Sequence, residues 1–344
     1  MSAPPVMVAM SGGVDSSVAA ALLLAEGSEV VGVTLRLWGG ESDSGCCAVS
    51  DVDDARRVCD ALGIEHHVFN LGDDFDRHVV APYVSAHAAG LTPNPCIECN
   101  RHVKFDRLLD RTRALGFERL ATGHHARVAV RPDGTRRIAR PADPAKDQSY
   151  VLHMLGQDQL SGLELPIGDL TKDEVRQRAT SLGLRTAGKP DSQDVCFITR
   201  EHGRGDFLSR RIPLTPGRVV DATGTEVGRV DAIELVTVGQ RRGMELAGAA
   251  APRYAIAVDM PTATVTVGNA DDLLVDATPV GGFSWADGPV TGPVLAQVSA
   301  HGAAVEARLV ADSVRWSSPH RRVAPGQSVV FYEGEEVLGG AVAT

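Results

Sequence analysis

Seven residues constrain this chain more than any others: Ser11, Gly12, Gly13, Val14, Asp15, Ser16 and Ser17. They follow a short apolar run, Val6 to Met10. They open a segment, Ser16 to Glu26, with Ala19, Leu22 and Leu23 on one helical face and Gly27 as its stop. A strand turning directly into a helix gathers backbone N–H groups and the positive end of the helix dipole around one point, a site for phosphate. Gly12 and Gly13 permit close backbone approach and positive φ, and the serine hydroxyls add donors. The lysine of the GxxxxGK[ST] phosphate loop is absent. Asp15 is out of place beside phosphate unless a cation bridges it, which points to Mg²⁺.

The surrounding sequence alternates strand and helix. Glu29 to Leu37 reads as a strand buried on both faces, Asp51 to Leu62 as a helix, and Ile64 to Leu71 as a third strand. Asp74 to Ala89 and His102 to Leu115 read as helices, and Arg119 to Thr122 as a strand ending at Gly123. Such alternation predicts an α/β fold, a parallel sheet covered by helices. From about Gly217 the texture becomes short Val- and Thr-rich runs separated by turn residues, which read as hairpins. Two small β domains fit this stretch, with a break near Asp271–Pro279. The expected units are 1–202, catalytic; 203–272, a central β domain; and 273–344, a C-terminal β-barrel. A length of 344 residues accommodates two or three domains.

The formal charge of -10 argues at first against a nucleic-acid partner. The distribution does not: residues 101–140 carry eleven basic and four acidic side chains on an otherwise acidic chain. A concentrated basic segment attracts phosphate backbones, although solvated helix and hairpin faces give the same count. No apolar run reaches the ~20 residues that cross a bilayer, and the start lacks a basic leader, so a cytoplasmic address is expected.

Six cysteines in a chain of this length do not form a disulfide scaffold. Cys96 and Cys99 lie in LTPNPCIECNRHVKF, where Pro93 and Pro95 suggest an extended approach. A helix beginning at or just before Asn100 would place Cys99 near its N-terminus, where a thiolate is stabilised, with Arg101 and Lys104 adding to that. Cys196 sits in GKPDSQDVCFITR among Lys189, Asp191, Gln193 and Asp194. Polar crowding there suggests a reactive thiol. Cys46, Cys47 and Cys59 read as structural. The adjacent pair His124–His125 does not suggest a shared metal, because neighbouring strand residues face opposite ways.

The loop SGGVDSS resembles the pyrophosphate loop of the ATP pyrophosphatases. Taken in order with TPNPCIECN, ATGHHARV, KDQSY, SQDVCF, VGQRRGM and PGQSVVFY, it makes nearly the whole chain resemble the tRNA-specific 2-thiouridylases. That resemblance implies an ATP-pyrophosphatase domain, a central β domain and a C-terminal barrel. It implies ATP, with Mg²⁺, against Ala9, Met10, Ser11, Gly12, Gly13, Val14, Asp15 and Ser16, and a nucleoside touching Leu35 and Gly123. It implies sulfur placed on carbon-2 of a tRNA wobble uridine, whose carbonyl is first adenylated. Cys196 would carry a persulfide, and Cys99 would work with it through a transient disulfide. The implied tRNA contacts are Asn94, Pro95, Cys96, His124, Lys146, Asp147, Gln148 and Gln327. A sulfur-donor protein, a cysteine desulfurase or relay, is the other implied partner. Many members carry Asp where this chain has Cys96. That departure leaves a second route open, in which Cys96, Cys99 and Cys196 ligate an iron–sulfur cluster that binds sulfide. An amidating synthetase would account for the phosphate loop but not for the cysteines.

Overall fold

The computed structural model describes residues 3–37, 49–191, 195–198, 203–246 and 252–344. The first unit is built on five parallel strands. In chain order they are β1 (Ala3–Ala9), β2 (Ser28–Arg36), β3 (Glu65–Asn70), β4 (Arg119–Thr122) and, after the hairpin β5 (Arg127–Val130) and β6 (Arg136–Ala139), the short β7 (Leu163–Glu164). The sheet order is β3-β2-β1-β4-β7. The connecting helices are α1 (Val14–Ala25), α2 (Val49–Leu62), α3 (72–88), α4 (95–114), α5 (Gln157–Ser161) and α6 (Lys172–Ser181).

β1 shows why the sheet is covered on both sides. Val6 and Val8 are fully buried against Val18, Ala19 and Leu23 of α1, whereas Met7 enters the opposite layer with Val103 and Leu108 of α4. Burying each such side chain stabilises the fold by about 1.5–3 kcal/mol. The chain runs outward from β1 to β3, then returns to place β4 on the other flank of β1. That reversal opens a crevice at the carboxyl ends of β1 and β4, where open α/β sheets bind ligands.

The helix α7 (Gly203–Ser209) opens the stretch expected to belong to the central β unit, and it touches both that unit and the first: Arg204 donates to the Leu235 carbonyl at 2.7 Å. Phe207 and Leu208 enter the core of the first unit, with Phe207 5.1 Å from the Phe197 ring. The second sheet has its own strands only from Gly217: β8 (Gly217–Val220), β9 (Glu226–Val230), β10 (Glu245–Leu246), β11 (Tyr254–Asp259) and β12 (Thr264–Gly268), in the order β10-β9-β8-β12-β11. Val219, Val230, Ile233, Val265 and Val267 form its core.

The third unit closes on itself. β13 (Leu274–Trp285) pairs with both β16 (Ser313–Arg321) and β18 (Glu336–Ala343), and β14 (Gly292–Gln297), β15 (Val305–Val310) and β17 (Ser328–Glu333) complete a six-stranded barrel. The hairpin β5–β6 of the first unit extends this barrel through Glu336 and Ala139. Arg137 of β6 is 8% exposed and holds Asp287 at 2.9 Å and Glu333 at 3.0 Å. Among the described residues, no helix is long and apolar enough to cross a membrane.

Candidate active site

The phosphate loop lies at the mouth of the crevice. Gly12 has φ +72°, and a Cβ there would come within 2.2 Å of the Asp51 carbonyl oxygen. Gly13 caps α1 without any side-chain hydrogen bond to the first turn, which leaves that turn's N–H groups without a capping side-chain oxygen. The Ser16 hydroxyl accepts from the Ser11 N–H at 3.2 Å, and the Ser17 hydroxyl donates to the Gly13 carbonyl at 2.7 Å. These bonds fix the curve of the loop around an anion site. Gly123, after β4, lies directly on it: a Cβ would meet the Ser16 nitrogen at 2.5 Å and the Asp15 carbonyl carbon at 2.7 Å. The glycine expected to admit a nucleoside is thus also required by the protein's own backbone. Leu35, at the end of β2, is buried in the main core.

The lysines missing from the loop arrive from later in the chain. Lys172, first in α6, places its ammonium 2.8 Å from each Asp15 oxygen and 2.9 Å from Asp191 Oδ1. His125 Nε2 lies 3.1 Å from Asp15 Oδ1. Burial alone would raise the Asp15 carboxyl, but the hydrogen bonds from His125 and Lys172 outweigh it and hold its pKa below the ordinary value. Asp15 therefore has its bridging cation in Lys172. A magnesium ion arriving with ATP would meet a carboxylate already answered, so the nucleotide's own phosphates would be its main ligands. Lys189 contacts the Gly12 carbonyl at 2.9 Å, Asp51 at 2.6 Å and Asp54 at 2.8 Å. The role of these lysines could not be read from the loop, because they lie about 160 and 175 residues downstream of it.

The cysteine segment differs from its sequence reading. Asn94 caps a helix that starts at Pro95, ahead of both expected starts, five residues before Asn100 and seven before His102, and its side chain accepts from the Cys96 N–H at 3.0 Å. The Asn-Pro pair is itself an N-terminal signal, an N-cap followed by Pro at the first helical position. Cys96 therefore sits in the first turn. Cys99 begins the next stretch, Cys99–Leu108, whose hydrogen bonding is of π type, a distortion frequent at functional sites. The dipole falls off within one turn, so it favours a thiolate more at Cys96 than at Cys99. Cys59, Cys96, Cys99 and Cys196 are thiols. Cys99 is buried in the main core, and Cys196 packs against the same core, beside Phe197 and its neighbours Phe75 and Tyr83. Two thiols about a hundred residues apart thus border one hydrophobic cluster. Burial pushes the Cys59 thiol up to about 12, with Asp60 adding to the effect, as befits a structural residue. Cys46, Cys47, Gln193 and Asp194 lie outside the described residues. Among the described residues, no three His, Cys, Asp or Glu side chains are gathered to hold a metal ion. Cys96, Cys99 and Cys196 are not gathered in such a group.

The residues expected to face RNA are held by the protein. His124 is buried, bonded to Thr122 at 2.7 Å and to Lys104 at 3.5 Å. Burial, then Lys104 and His125, pushes its pKa well down and keeps the ring neutral. Lys146 pairs with Asp191 at 2.8 Å, Asp147 with Arg140, and Gln148 accepts from the His125 N–H at 2.8 Å. Pro95 is buried, and Gln327 belongs to a turn whose Pro325 carbonyl accepts from the Thr92 N–H at 2.8 Å, two residues before Asn94. The basic stretch is also answered from within. Arg113 takes Asp158, Arg119 takes Glu164, Arg127 takes Glu335 and Arg107 takes Asp74. Arg136 bonds main-chain carbonyls, and Arg111 lies over the Phe69 ring at 4.3 Å. The excess of positive charge counted along the sequence is offset in space by acidic side chains from other segments.

A parallel sheet with a Gly/Ser phosphate loop at its reversal point, lysines converging on that loop and two β units behind it define an enzyme of the PP-loop class. Family models match three consecutive regions: the tRNA methyl transferase HUP domain over residues 4–200, the tRNA methyl transferase PRC-barrel domain over 205–269 and the aminomethyltransferase beta-barrel domain over 282–343. The tRNA-specific 2-thiouridylase MnmA of Chloroflexus aurantiacus is 47% identical over 97% of both chains. The protein of that name from Streptomyces coelicolor is 44% identical over 98% of this chain and 93% of its own. The chain belongs to the tRNA-specific 2-thiouridylase family. Among solved structures, NMN synthetase from Francisella tularensis matches 55% of this chain and 67% of its own at 16% identity, with a TM-score of 0.35.

Proposed function

We propose that this protein is an ATP-dependent tRNA-uridine 2-sulfurtransferase in which the phosphate loop and the thiols of Cys99 and Cys196 serve one reaction. The methyl transfer in two family-model descriptions has no counterpart in this reading, which follows the full-length relatives. The observation that supports it is the packing of Cys99 and Cys196 against one core, in the unit that also carries the Gly/Ser phosphate loop. ATP binds along Ala9 to Ser16, and the uridine C2 carbonyl oxygen attacks its α-phosphorus, releasing pyrophosphate. AMP is a far better leaving group than the carbonyl oxygen. The terminal sulfur of a Cys196 persulfide then attacks C2 and AMP departs. Cys99 attacks the Cys196 sulfur still bonded to the transferred atom. Carbon keeps the outer sulfur, a Cys99–Cys196 disulfide remains, and an external thiol must reduce it before the next cycle.

The uridine must leave the stack for C2 to be reached. Asn94, Pro95 and Cys96 border its place, and His124, Lys146, Asp147, Gln148 and Gln327 shape the surrounding tRNA surface. Exposed ion pairs contribute only about 0–1 kcal/mol each, so RNA phosphates can draw arginines of the 101–140 stretch away from their carboxylates. A donor protein, a cysteine desulfurase or a relay, recharges Cys196.

Cys196→Ser should reduce 2-thiouridine in tRNA below detection by nucleoside mass spectrometry, while ATP and tRNA affinities stay within about twofold of wild type. Normal thiolation by this variant would end the proposal. Cys96 and Cys99, three apart on one helix face, motivate the alternative in which a cluster supplies sulfide. Thiolation by protein purified without oxygen and free of iron and acid-labile sulfide would remove it.

A further inference from the structure

The phosphate loop and the segment leading to Cys196 are fastened together by two lysines. Lys189, within that segment, reaches the Gly12 carbonyl. Lys172 comes from outside both. It is buried, and an ammonium has three N–H donors. Its contacts account for all three: Asp15 Oδ1 and Oδ2 at 2.8 Å and Asp191 Oδ1 at 2.9 Å.

We infer that Lys172 is a positioning residue that carries nucleotide occupancy of the phosphate loop to Cys196, through its simultaneous hold on Asp15 and Asp191. The inference rests on the sulfur-carrying role proposed for Cys196. A triphosphate entering the loop brings negative charge beside Asp15. Any Lys172 donor that turns to a phosphate oxygen is withdrawn from a carboxylate. Asp15 retains His125 at 3.1 Å, and Asp191 retains Lys146 at 2.8 Å and Arg176 at 3.0 Å. The carboxylates therefore stay compensated while their tie to each other changes, so the exchange leaves no buried charge unpaired. Cys196 follows Asp191 by five residues, at most about 18 Å of extended chain, and the relay runs along that covalent connection. A lysine serving only to neutralise two carboxylates would transmit nothing.

The test is the rate of iodoacetamide modification at Cys196, read by peptide mass spectrometry, with and without a saturating non-hydrolysable ATP analogue and magnesium. In the wild-type protein the analogue should change this rate at least threefold. The response should vanish in Lys172→Met and in Asp191→Asn. Asp191 is 39% exposed and outside the phosphate loop, so Asp191→Asn should keep the fold and still bind the analogue, and it decides the matter if Lys172→Met does not fold. No response in the wild type, or an undiminished response in Asp191→Asn, overturns the relay. If the response follows Lys172 and Asp191 yet Cys196→Ser still thiolates tRNA, the sulfur-carrying role fails and the relay stands.

Discussion

At the scale of single residues, the site depends on positions where the backbone tolerates nothing larger than glycine. A methyl group at Gly123 would be forced to within 2.5 Å of the Ser16 nitrogen, a main-chain atom on a buried helix turn that cannot move aside like a flexible side chain. Gly123→Ala should destabilise the protein by about 1–3 kcal/mol, the usual cost of overpacking, and weaken ATP binding at least tenfold. Urea unfolding and calorimetric titration with ATP would check both. Asp15 makes a related point about legibility. Its oddness beside phosphate was visible in the sequence, and so was its need for a cation. That the cation is Lys172 was not visible, because a salt bridge between residues 157 positions apart leaves no mark on local pattern. The arginines of residues 101–140 show the same limit in reverse. Their number was plain, but the glutamates and aspartates that offset them come from β7, α5 and the barrel.

At the scale of elements, regular periodicity was legible and special termini were less so. Val6 to Met10, Ser16 to Glu26 and Glu29 to Leu37 all form elements close to where apolar spacing places them. The helix carrying Cys96 and Cys99 begins seven residues earlier than its apolar repeat suggests, because an Asn cap and Pro95 start it before the repeat does. Pro93 and Pro95 read as extended chain for the same reason: proline favours both extended runs and first helical turns. Asn94→Ala should cost about 1 kcal/mol in urea unfolding through loss of the bond to the Cys96 N–H. It should also slow thiolation, because it loosens the turn that orients Cys96. Unchanged stability would mean that the cap does not hold this turn. The hairpin β5–β6 was not assigned to the barrel because strand pairing across 197 residues, Ala139 with Glu336, depends on tertiary packing alone.

At the scale of the whole molecule, the barrel is keyed into the catalytic unit. The His153 ring lies against Gly340 of β18 so closely that a Cβ there would sit 2.4 Å from its Cδ2 atom. Burial pushes the His153 imidazole down to about 4, against the bond to the Tyr150 carbonyl, with Arg101 lowering it further. An unfolded histidine titrates near 6.5, so between about pH 6.5 and 4 the unfolded chain binds a proton that the folded one refuses. Stability is therefore intact above this window and falls as pH drops through it, by up to about 3 kcal/mol from this residue. His153→Gln should flatten the loss of urea stability between pH 7 and pH 4.5 relative to wild type, and an unchanged slope would contradict a neutral buried ring. The larger claim is that this architecture joins adenylation to sulfur transfer. The most direct test is the stoichiometry of AMP, pyrophosphate and 2-thiouridine formed from ATP and unmodified tRNA, with a cysteine desulfurase and cysteine to load the persulfide and a thiol to reduce the disulfide. The account predicts one AMP and one pyrophosphate per 2-thiouridine, with no 2-thiouridine from Cys196→Ser. Release of ADP and phosphate, or 2-thiouridine formed without AMP, would contradict it.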